Sequence, residues 1–318
     1  MRVQFLLVPY DSGHREWRMG CGPGYLLRHG AGSSVRALGH EVDAEYVELD
    51  AEAVADAGAA AAPAGTAAAP APASARAPAP AHPGEVPSSF ALYGRLSRRV
   101  RALRDEGALP IVLGGNCGVT VGALAGGPAP HSGIGVVWLD AHGDFNTPET
   151  TTSGFLDGMA LAVLTGRCWR AMAAQIPGFA PVPERHVVLV GARDLDGAEQ
   201  AALEESEIAR VTGAEVRDAG LEAALAPVLD RLRERVARVH LHVDLDVLDA
   251  AEARANSFAA PGGLTSAELA TVVREVADRF EIVSAALTAF DPAAGDAAMV
   301  VHAAAGALEA IVAPRAPA

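Results

Sequence analysis

The sequence predicts an α/β fold with a mostly parallel sheet that is covered by helices on both faces. Short, nearly continuous apolar runs recur along the chain, as expected for strands buried on both sides. Segments of helical length separate these runs, and this alternation is typical of parallel sheets. The chain has 318 residues, of which 50% are hydrophobic. That length and composition suffice for one large domain with a sizeable core.

The first elements precede a segment of unusual composition. Arg2–Val8 predicts a strand, Asp11–Leu38 a glycine-rich turn followed by a helix, and Glu41–Leu49 a second strand. Residues 51–89 are mostly Ala, Pro and Gly, and five prolines between positions 63 and 80 exclude a continuous helix. We expect a disordered or polyproline-like insertion here, within a single domain that spans residues 1–318.

After this insertion the alternation of helices and strands resumes. A helix is predicted over residues 90–106 and a strand over residues 110–113. The motif Gly114-Gly115-Asn116-Cys117 follows that strand and opens a helix near Val119. The remaining predicted elements are strands at 134–139, 186–190, 238–243 and 282–288, and helices that include 221–236 and 266–280.

Composition narrows the possible classes of function. A net charge of -14 argues against nucleic acid or an anionic membrane as the main partner. All 25 basic residues are Arg, which excludes Schiff-base lysines, lysine general bases and the P-loop lysine. Three widely spaced cysteines and an N-terminus without a secretory signal predict a cytoplasmic protein. No apolar stretch is long enough to span a bilayer.

Acidic motifs follow two of the predicted strands. Each motif places ionisable residues two apart, so that their side chains point the same way from an extended chain. They are Asp140, His142 and Asp144 after one strand, and Asp244 and Asp246 after the other. Four carboxylates and an imidazole in one crevice would repel one another unless cations lay between them. We therefore expect a metal site with two ions at the carboxyl edge of the sheet, although each motif alone also fits a helix cap or a turn.

Taken in order, the motifs resemble those of the arginase (ureohydrolase) family. They are GGNC at 114–117, DAHGDFN at 140–146, DLDVLD at 244–249 and the late strand before Pro292. The resemblance covers the chain apart from the insertion, and it implies a three-layer α/β/α fold. It further implies a manganese-dependent hydrolase that cleaves guanidine-type C–N bonds of a small-molecule substrate and assembles as a homo-oligomer, a trimer or hexamer.

The resemblance also implies roles for individual residues. Six side chains would hold two Mn²⁺ ions: Asp140 and Asp244 bridging both, Asp144 and Cys117 completing one shell, and His142 and Asp246 completing the other. Hydroxide between the ions would be the nucleophile, since bound metals lower the pKa of water. A ligand set rich in oxygen suits manganese. The candidate catalytic residues are Asp144, Asp246 and Asp157.

Two further segments resemble the substrate-binding parts of the family. The loop at 146–154 resembles one that grips the α-carboxylate of the substrate through Asn146 and Ser153. Asp196, in the segment GARDLD, resembles a residue that meets the α-amino group. An ordinary polar loop is the alternative interpretation of the Thr-rich stretch.

Cys117 is the first departure from the pattern, because the family usually has His at this place. Cys117 is either a small buried hydrophobic residue at a helix start or a thiolate ligand, because a helix N-terminus and a nearby cation both lower the pKa of a thiol. As a ligand, a thiolate favours zinc or iron over manganese, so we expect the adjacent ion to be weakly held or of a different kind. The branch that hydrolyses Nω-hydroxyarginine in cycloserine biosynthesis also carries Cys here, and it has a loop like that at 144–150.

Two other departures concern proton transfer and the charge of the substrate. Asp157 stands where the family has a proton-shuttling His, and it either donates a proton from a raised pKa or caps the following helix. Ala289 stands where the family has a guanidinium-binding Glu, and Asp291 is the nearest carboxylate. His242 shares a face with Asp244 and could hydrogen-bond a metal ligand.

The sequence therefore predicts a hydrolase of a linear C–N bond in a guanidino or hydroxyguanidino amino acid. A weakly basic hydroxyguanidine depends less on a carboxylate anchor than a charged guanidinium does. One alternative is an agmatinase-, guanidino-acid- or formimino-type hydrolase, which the retained Asn146, Ser153 and Asp196 argue against. The other is a metal-binding pseudoenzyme, which the lost His and Glu favour and the bridging aspartates oppose.

Overall fold

The computed structural model describes residues 1–49, 85–128 and 133–314. Its strands are β1 Arg2–Val8, β2 Tyr10–Asp11, β3 His14–Arg15, β4 Glu41–Tyr46, β5 Leu109–Gly114, β6 Ile134–Leu139, β7 Val187–Val190, β8 Ala209–Val211, β9 Arg238–Asp244 and β10 Glu281–Thr288. Eight of them form one sheet in the order β4-β1-β5-β10-β9-β6-β7-β8. Every neighbouring pair in that sheet is parallel, whereas β2 and β3 form a separate antiparallel hairpin.

Helices cover both faces of the sheet. They are α1 Gly22–Leu26, α2 Gly32–Ala37, α3 Glu85–Asp105, α4 Val119–Ala125, α5 Ala160–Leu164, α6 Arg170–Ala173, α7 Gly197–Glu205, α8 Gly213–Ala219, α9 Leu221–Arg233, α10 Ser266–Arg279 and α11 Ala297–Val312. The start of α10 shows how the sequence sets such an element, because Thr265 and Glu268 form a capping box there. Leu269, Val272 and Val276 then form its buried face.

Alternate residues of β1 show how the layers pack. Phe5 and Leu7 belong to the core that contains α9, α10 and α11, whereas Leu6 and Val8 belong to the core that contains α3 and α4. A strand buried on both faces must be apolar at nearly every position, which explains the unbroken apolar run Phe5–Val8 in the second half of β1. The α/β fold with helices on both faces of a parallel sheet is therefore confirmed.

The predicted insertion ends earlier than the sequence indicated. The helix α3 begins at Glu85 rather than at residue 90, so residues 85–89 are helical. Pro87 lies in the first turn of this helix, where a missing N–H leaves no hydrogen bond unmade. The rest of the predicted insertion lies outside the described residues.

Two other expectations differ from the structure. Asp11–Leu38 does not form one turn and one helix: it contains the hairpin, a 3-10 turn at Arg18–Cys21, and α1 and α2 joined by a π-helical turn at Leu27–Ala31. Gly30 breaks the helix within that turn with a φ of 138°. The sequence does not predict β8, because a strand of three residues is too short for an apolar and polar alternation to be recognised. Among the described residues, no helix is both long and apolar enough to cross a bilayer.

The order of the strands brings the distant motifs together. β5, β10, β9 and β6 are consecutive in the sheet, and they are parallel, so their carboxyl ends lie at one edge. These strands end at Gly114, Thr288, Asp244 and Leu139. Each of the four sequence motifs therefore leaves the sheet at the same edge, although they are far apart in the chain.

Candidate metal and active site

The motifs converge on one cavity at this edge of the sheet. The cavity has a volume of about 280 Å³. Its lining includes nine of the predicted site residues: Cys117, His142, Asp144, Asn146, Ser153, Asp157, Asp196, Asp244 and Asp246. The tenth, Asp140, is fully buried and contacts His142. The structure thus brings together the ten predicted site residues, whereas Asp291 is not among the residues that line the cavity.

Asp140, His142 and Asp246 form one compact group. Nδ1 of His142 lies 3.3 Å from Oδ1 of Asp140 and 3.4 Å from Oδ2 of Asp246. The backbone N–H of His142 donates to Asp140 Oδ1 at 2.7 Å, and that of Ala141 donates to Asp246 Oδ1 at 3.2 Å. One ligand atom from each of the three side chains lies within 4.8 Å of the others. The group is therefore small enough to hold a metal ion.

Cys117 and Asp244 meet on the other side of Asp140. The Cys117 thiol donates to Asp244 Oδ2 at 2.9 Å, and its sulfur lies 3.3 Å from Thr288 Oγ1. Gly115, two residues before Cys117, packs directly on the backbone of β2, where a Cβ would collide with Tyr10. The thiol and the carboxylate consequently share a proton at a position where the resemblance implies a cation.

Asp144 presents a carboxylate oxygen that no group in the described part of the chain hydrogen-bonds. Its φ of 48° is left-handed, a conformation that Asp adopts more readily than most residues. Its carbonyl oxygen accepts the N–H groups of Leu161 and Ala162 at 2.9 and 3.1 Å, which fixes the loop against α5. Among the described residues, Oδ2 of Asp144 is buried without a hydrogen-bond partner. Such an atom destabilises a protein unless a cation or donor reaches it.

The cavity carries much more negative than positive charge. Burial raises the pKa of three carboxyl groups above their usual range, and neighbouring carboxylates raise it further: Asp140, Asp144 and Asp244. Burial opposes a charge on His142, but Asp246 and Asp140 outweigh it and raise its pKa well above the usual value. In the described part of the chain, His142 is the one cavity-lining residue that can be positively charged. The unpartnered Asp144 oxygen and this excess of carboxylates fit divalent cations.

Asp157 binds the loop after β5. Its Oδ1 accepts the N–H of Gly118 at 3.1 Å, and its Oδ2 accepts Nδ2 of Asn116 at 2.9 Å. No side-chain cap is present at the turn Asp157–Met159 or at the start of α5, so the alternative that Asp157 caps the following helix is wrong. Burial raises the pKa of Asp157 to about 8 in spite of both hydrogen bonds. The role of proton donor stays a prediction.

The three predicted substrate-binding residues share one wall of the cavity. Asn146 Nδ2 donates to Asp196 Oδ2 at 3.2 Å, and the hydroxyl of Thr152 donates to the same oxygen at 3.2 Å. Ser153 Oγ accepts the N–H of Phe155 at 3.2 Å. Asp196 immediately precedes α7, which holds its backbone in place. This wall therefore offers an amide, hydroxyls and a carboxylate to a polar ligand.

The wall at Ala289 lacks a carboxylate. Ala289 lines the cavity with a φ of 61°, and its carbonyl accepts Asn256 Nδ2 at 2.8 Å. Asp291 is not among the lining residues, and its Oδ1 accepts the N–H of Ala293 at 2.9 Å. Asp291 therefore does not supply the charge that a glutamate at position 289 would bring.

Two further cavity-lining residues, Glu199 and Asn256, belong to none of the sequence motifs. Glu199 Oε1 accepts the N–H of Phe145 at 2.9 Å, and burial raises its pKa to about 7. Its spacing of three from Asp196, in the first turn of a helix, is a signal that could have revealed it. Asn256 Nδ2 also donates to Asp246 Oδ2 at 3.1 Å, but its loop shows no sequence pattern.

Arg193 is another residue that the motifs do not single out. Its segment resembles a substrate-binding part of the family, yet its guanidinium holds the loop after β9. The guanidinium donates at 2.9 to 3.3 Å to the main-chain carbonyls of Gly191, Asp246, Val247, Leu248, Ala260 and Pro261. The backbone of Asp246 is therefore fixed from outside the cavity.

A larger cavity of about 680 Å³ lies at the opposite edge of the sheet. It is lined by the starts of the strands, including Arg2, Leu109 and Arg238. Neither group of potential metal ligands found in the described residues borders it. Among the described residues, both groups of potential metal ligands therefore adjoin the smaller cavity.

Comparisons with known proteins agree with the fold and the motifs. The chain is 37% identical over 199 residues to an arginase of Bacillus caldovelox, in an alignment that spans 62% of this chain and 66% of that protein, slightly under two thirds. The native structure of that arginase superposes with a TM-score of 0.81 and 27% identity over 99% of both chains. Formimidoylglutamase of Bacillus subtilis shares the fold, with a TM-score of 0.70, 19% identity, and coverage of 98% of this chain and 85% of the other. The sequence model of the Arginase family matches residues 1–313, so this chain belongs to the arginase family.

Proposed function

We propose that this protein is a metal-dependent hydrolase of a linear C–N bond in a guanidino or hydroxyguanidino amino acid. One observation carries the proposal: the groups of potential metal ligands adjoin the same cavity as Asn146, Ser153 and Asp196. Metal ligands alone would fit a structural ion, and a polar wall alone would fit many small ligands. Their combination in about 280 Å³ suits a small amino acid held beside two cations.

The carboxylates would hold two divalent cations, which lower the pKa of water enough for hydroxide to exist near neutral pH. In the hydrolysis, the water oxygen bonds to the guanidine carbon. The bond from that carbon to the side-chain nitrogen then breaks, and this nitrogen leaves as a primary amine after it takes up a proton. The ligand set is rich in oxygen, which supports Mn²⁺ as the ion.

The wall residues would orient the substrate. Asn146 and Ser153 would bind its α-carboxylate through their amide and hydroxyl, and Asp196 would bind its α-ammonium group. The rings of Phe155 and Phe258 stack with centroids 5.7 Å apart, and both line the cavity. They would exclude water from the bound side chain, which strengthens the polar contacts inside.

Asp157 would supply the proton to the departing nitrogen. It must be protonated to do so, so turnover should fall as the pH rises through its pKa. That pKa is about 8 without cations, and bound cations lower it, so the alkaline limb should lie at or below about pH 8. Asp157→Asn should reduce kcat on the order of 10²-fold, change KM little, and abolish this limb. An unchanged kcat and pH profile would show that Asp157 only holds the loop after β5.

Substrate choice would follow from Ala289. A charged guanidinium without a carboxylate partner loses a charge-assisted hydrogen bond of roughly 1.5–3 kcal/mol, which is about 10- to 100-fold in kcat/KM. We therefore expect Nω-hydroxyarginine to be cleaved at least about 10-fold better than arginine. Ala289→Glu should favour arginine, whereas the neutral control Ala289→Gln should not.

Urea or hydroxyurea release from arginine, Nω-hydroxyarginine, agmatine and guanidinobutyrate tests this proposal. Exclusive turnover of agmatine or guanidinobutyrate would reassign the substrate to compounds without an α-amino acid group. No turnover of any compound by protein with confirmed bound metal would favour the metal-binding pseudoenzyme.

The setting of the activity is a further part of the proposal. The resemblance to the family supports a homo-oligomer, a trimer or hexamer, and the composition supports a cytoplasmic protein without nucleic-acid or membrane partners. Sedimentation of the full chain with and without Mn²⁺ measures the assembly state. A monomer under both conditions would overturn that part alone.

A further inference from the structure

His242 is a buried imidazole that faces the metal site. It lies on β9 two residues before Asp244, and it is fully buried. Its Nδ1 is 2.7 Å from Thr120 Oγ1. Its Nε2 is 3.4 Å from Thr288 Oγ1, the same hydroxyl that lies 3.3 Å from the sulfur of Cys117. The imidazole and the thiol therefore face the same space.

Cys117, Asp140 and His242 form a second group of potential metal ligands. One atom from each lies within 4.8 Å of the others, and all three side chains are buried. Asp140 also belongs to the group with His142 and Asp246. The chain therefore offers two three-residue groups that share the carboxylate of Asp140, and this arrangement suits two neighbouring ions.

One indole fixes two members of this second group. Trp138 stacks on His242 with ring centroids 3.6 Å apart. Its Nε1 donates to Asp140 Oδ2 at 3.0 Å. At the opposite edge of the imidazole, Nδ1 lies against the Thr120 hydroxyl. In the tautomer in which Nδ1–H donates to this hydroxyl, Nε2 carries the lone pair that can bind a metal. Histidine ligands are commonly oriented in this way, through a hydrogen bond at the nitrogen that does not bind the metal.

We propose that Nε2 of His242 binds the ion beside Cys117, so that this ion is held by imidazole, thiolate and carboxylate. The inference rests on the metal dependence of the proposed function. On binding, the Cys117 thiol releases the proton that it now donates to Asp244, and its sulfur bonds to the metal instead. A nitrogen and sulfur set is softer than carboxylates alone, so this position should prefer Co²⁺ or Zn²⁺ to Mn²⁺ more strongly than the position beside His142 does.

Cobalt titration of the full-length protein tests this assignment. Co²⁺ bound to thiolate shows a charge-transfer absorption band. Cys117→Ser should remove this band, which assigns it to the ion beside Cys117 rather than to Cys21 or Cys168. His242→Asn keeps a polar atom near Thr120 but removes Nε2, and it should weaken the cobalt binding that produces the band at least about 10-fold. Binding at the group that contains His142 should be retained and serves as a check of folding.

His240 provides a matched control. It is a fully buried imidazole on the same strand, its Nδ1 lies 2.7 Å from Ser284 Oγ, and among the described residues its Nε2 has no partner. His240→Asn should leave the band and its cobalt affinity as in the unmodified chain. If His242→Asn and His240→Asn bind cobalt with the same affinity and the same band, the proposal is overturned.

X-ray absorption of the unmodified protein gives an answer that does not depend on any variant. With two Co²⁺ ions bound, ligation by His142 and His242 predicts an average of one imidazole per ion, and ligation by His142 alone predicts half of that. An average of half an imidazole per ion overturns the proposal. If such a protein still turns over substrate, this inference alone is refuted. If the average is one imidazole per ion but no substrate is turned over, only the proposed function is refuted.

Discussion

Asp244→Asn should reduce turnover on the order of 10³-fold or more and leave the fold intact. Asp244 would bridge both ions, and the loss of its charge removes several kcal/mol of interaction with them. Asparagine has the same shape, and its carbonyl oxygen can still accept the N–H of Asp246, which now lies 2.8 Å from Asp244 Oδ1. Initial rates with saturating Mn²⁺, together with the metal content of the variant, measure the effect.

The same substitution, Asp244→Asn, should increase the stability of the protein when no metal is bound. Burial raises the pKa of Asp244 well above its usual value, and the nearby carboxylates raise it further, so folding without metal must bind a proton or bury a repelled charge. Metal-free Asp244→Asn should therefore be more stable than the metal-free parent near pH 8, by on the order of 1 kcal/mol or more. Asp230, an exposed partner of Arg279 at 3.1 Å, provides the control, and Asp230→Asn should change neither property. Loss of activity together with loss of metal-free stability would contradict this account.

Removal of the metal should make the stability of the protein fall as the pH rises. In the folded chain the pKa of Glu199 is raised to about 7 and that of Asp157 to about 8, in both cases mainly by burial. In the unfolded chain both groups return to about 4. Between these values the folded state binds more protons than the unfolded state, so the free energy of unfolding decreases with increasing pH. This contribution is fully present below about pH 4 and is lost as the pH passes about 8.

Bound cations should reverse this trend. They stabilise the charged carboxylates, and at a hundred times Kd each ion adds about 2.7 kcal/mol to the free energy of unfolding. Urea unfolding at several values between about pH 5 and pH 8, with chelator and with Mn²⁺, gives both curves. If the free energy of unfolding of the metal-free protein increases toward pH 8, the pKa values of Glu199 and Asp157 are not raised by burial, and this account is contradicted.

The fold was predictable because parallel strands that are buried on both faces appear in the sequence as short runs of apolar residues. Ile134–Leu139 is apolar at every position and is buried at every position, so pattern and environment correspond one to one. β8 has no such apolar run, because it contains only three residues. Such a run is also absent from Asp11–Leu38, where glycines and short turns divide the chain without any period. The sequence predicts the start of α3 at residue 90 instead of Glu85, because Pro87 resembles the end of an element. In the structure, Pro87 lies inside the first turn of the helix.

The site residues that were predictable are those in short motifs at or directly after the ends of the strands, because parallel strands end at the same edge of the sheet. Asp140, His142 and Asp244 were found in this way. Glu199 and Asn256 reach the site from a helix and a loop, and their contacts depend on how these pack against the sheet. His242 was singled out only as a partner of a metal ligand, because nothing in the sequence shows that β9 lies where its imidazole faces Cys117. The order of strands in the sheet supplies that information.

The contacts of Arg193 have a consequence for how this chain can change over time. Among the described residues, its guanidinium donates hydrogen bonds only to main-chain oxygens, five of which belong to the loop after β9, and every residue type carries a main-chain oxygen. The loop can therefore accept many substitutions at Val247, Leu248 and Ala260 without losing these bonds, as far as packing permits. Arg193 has no such freedom, since no other side chain has five N–H donors in a planar array. Sequence drift should spare the arginine and spread through the loop that it holds.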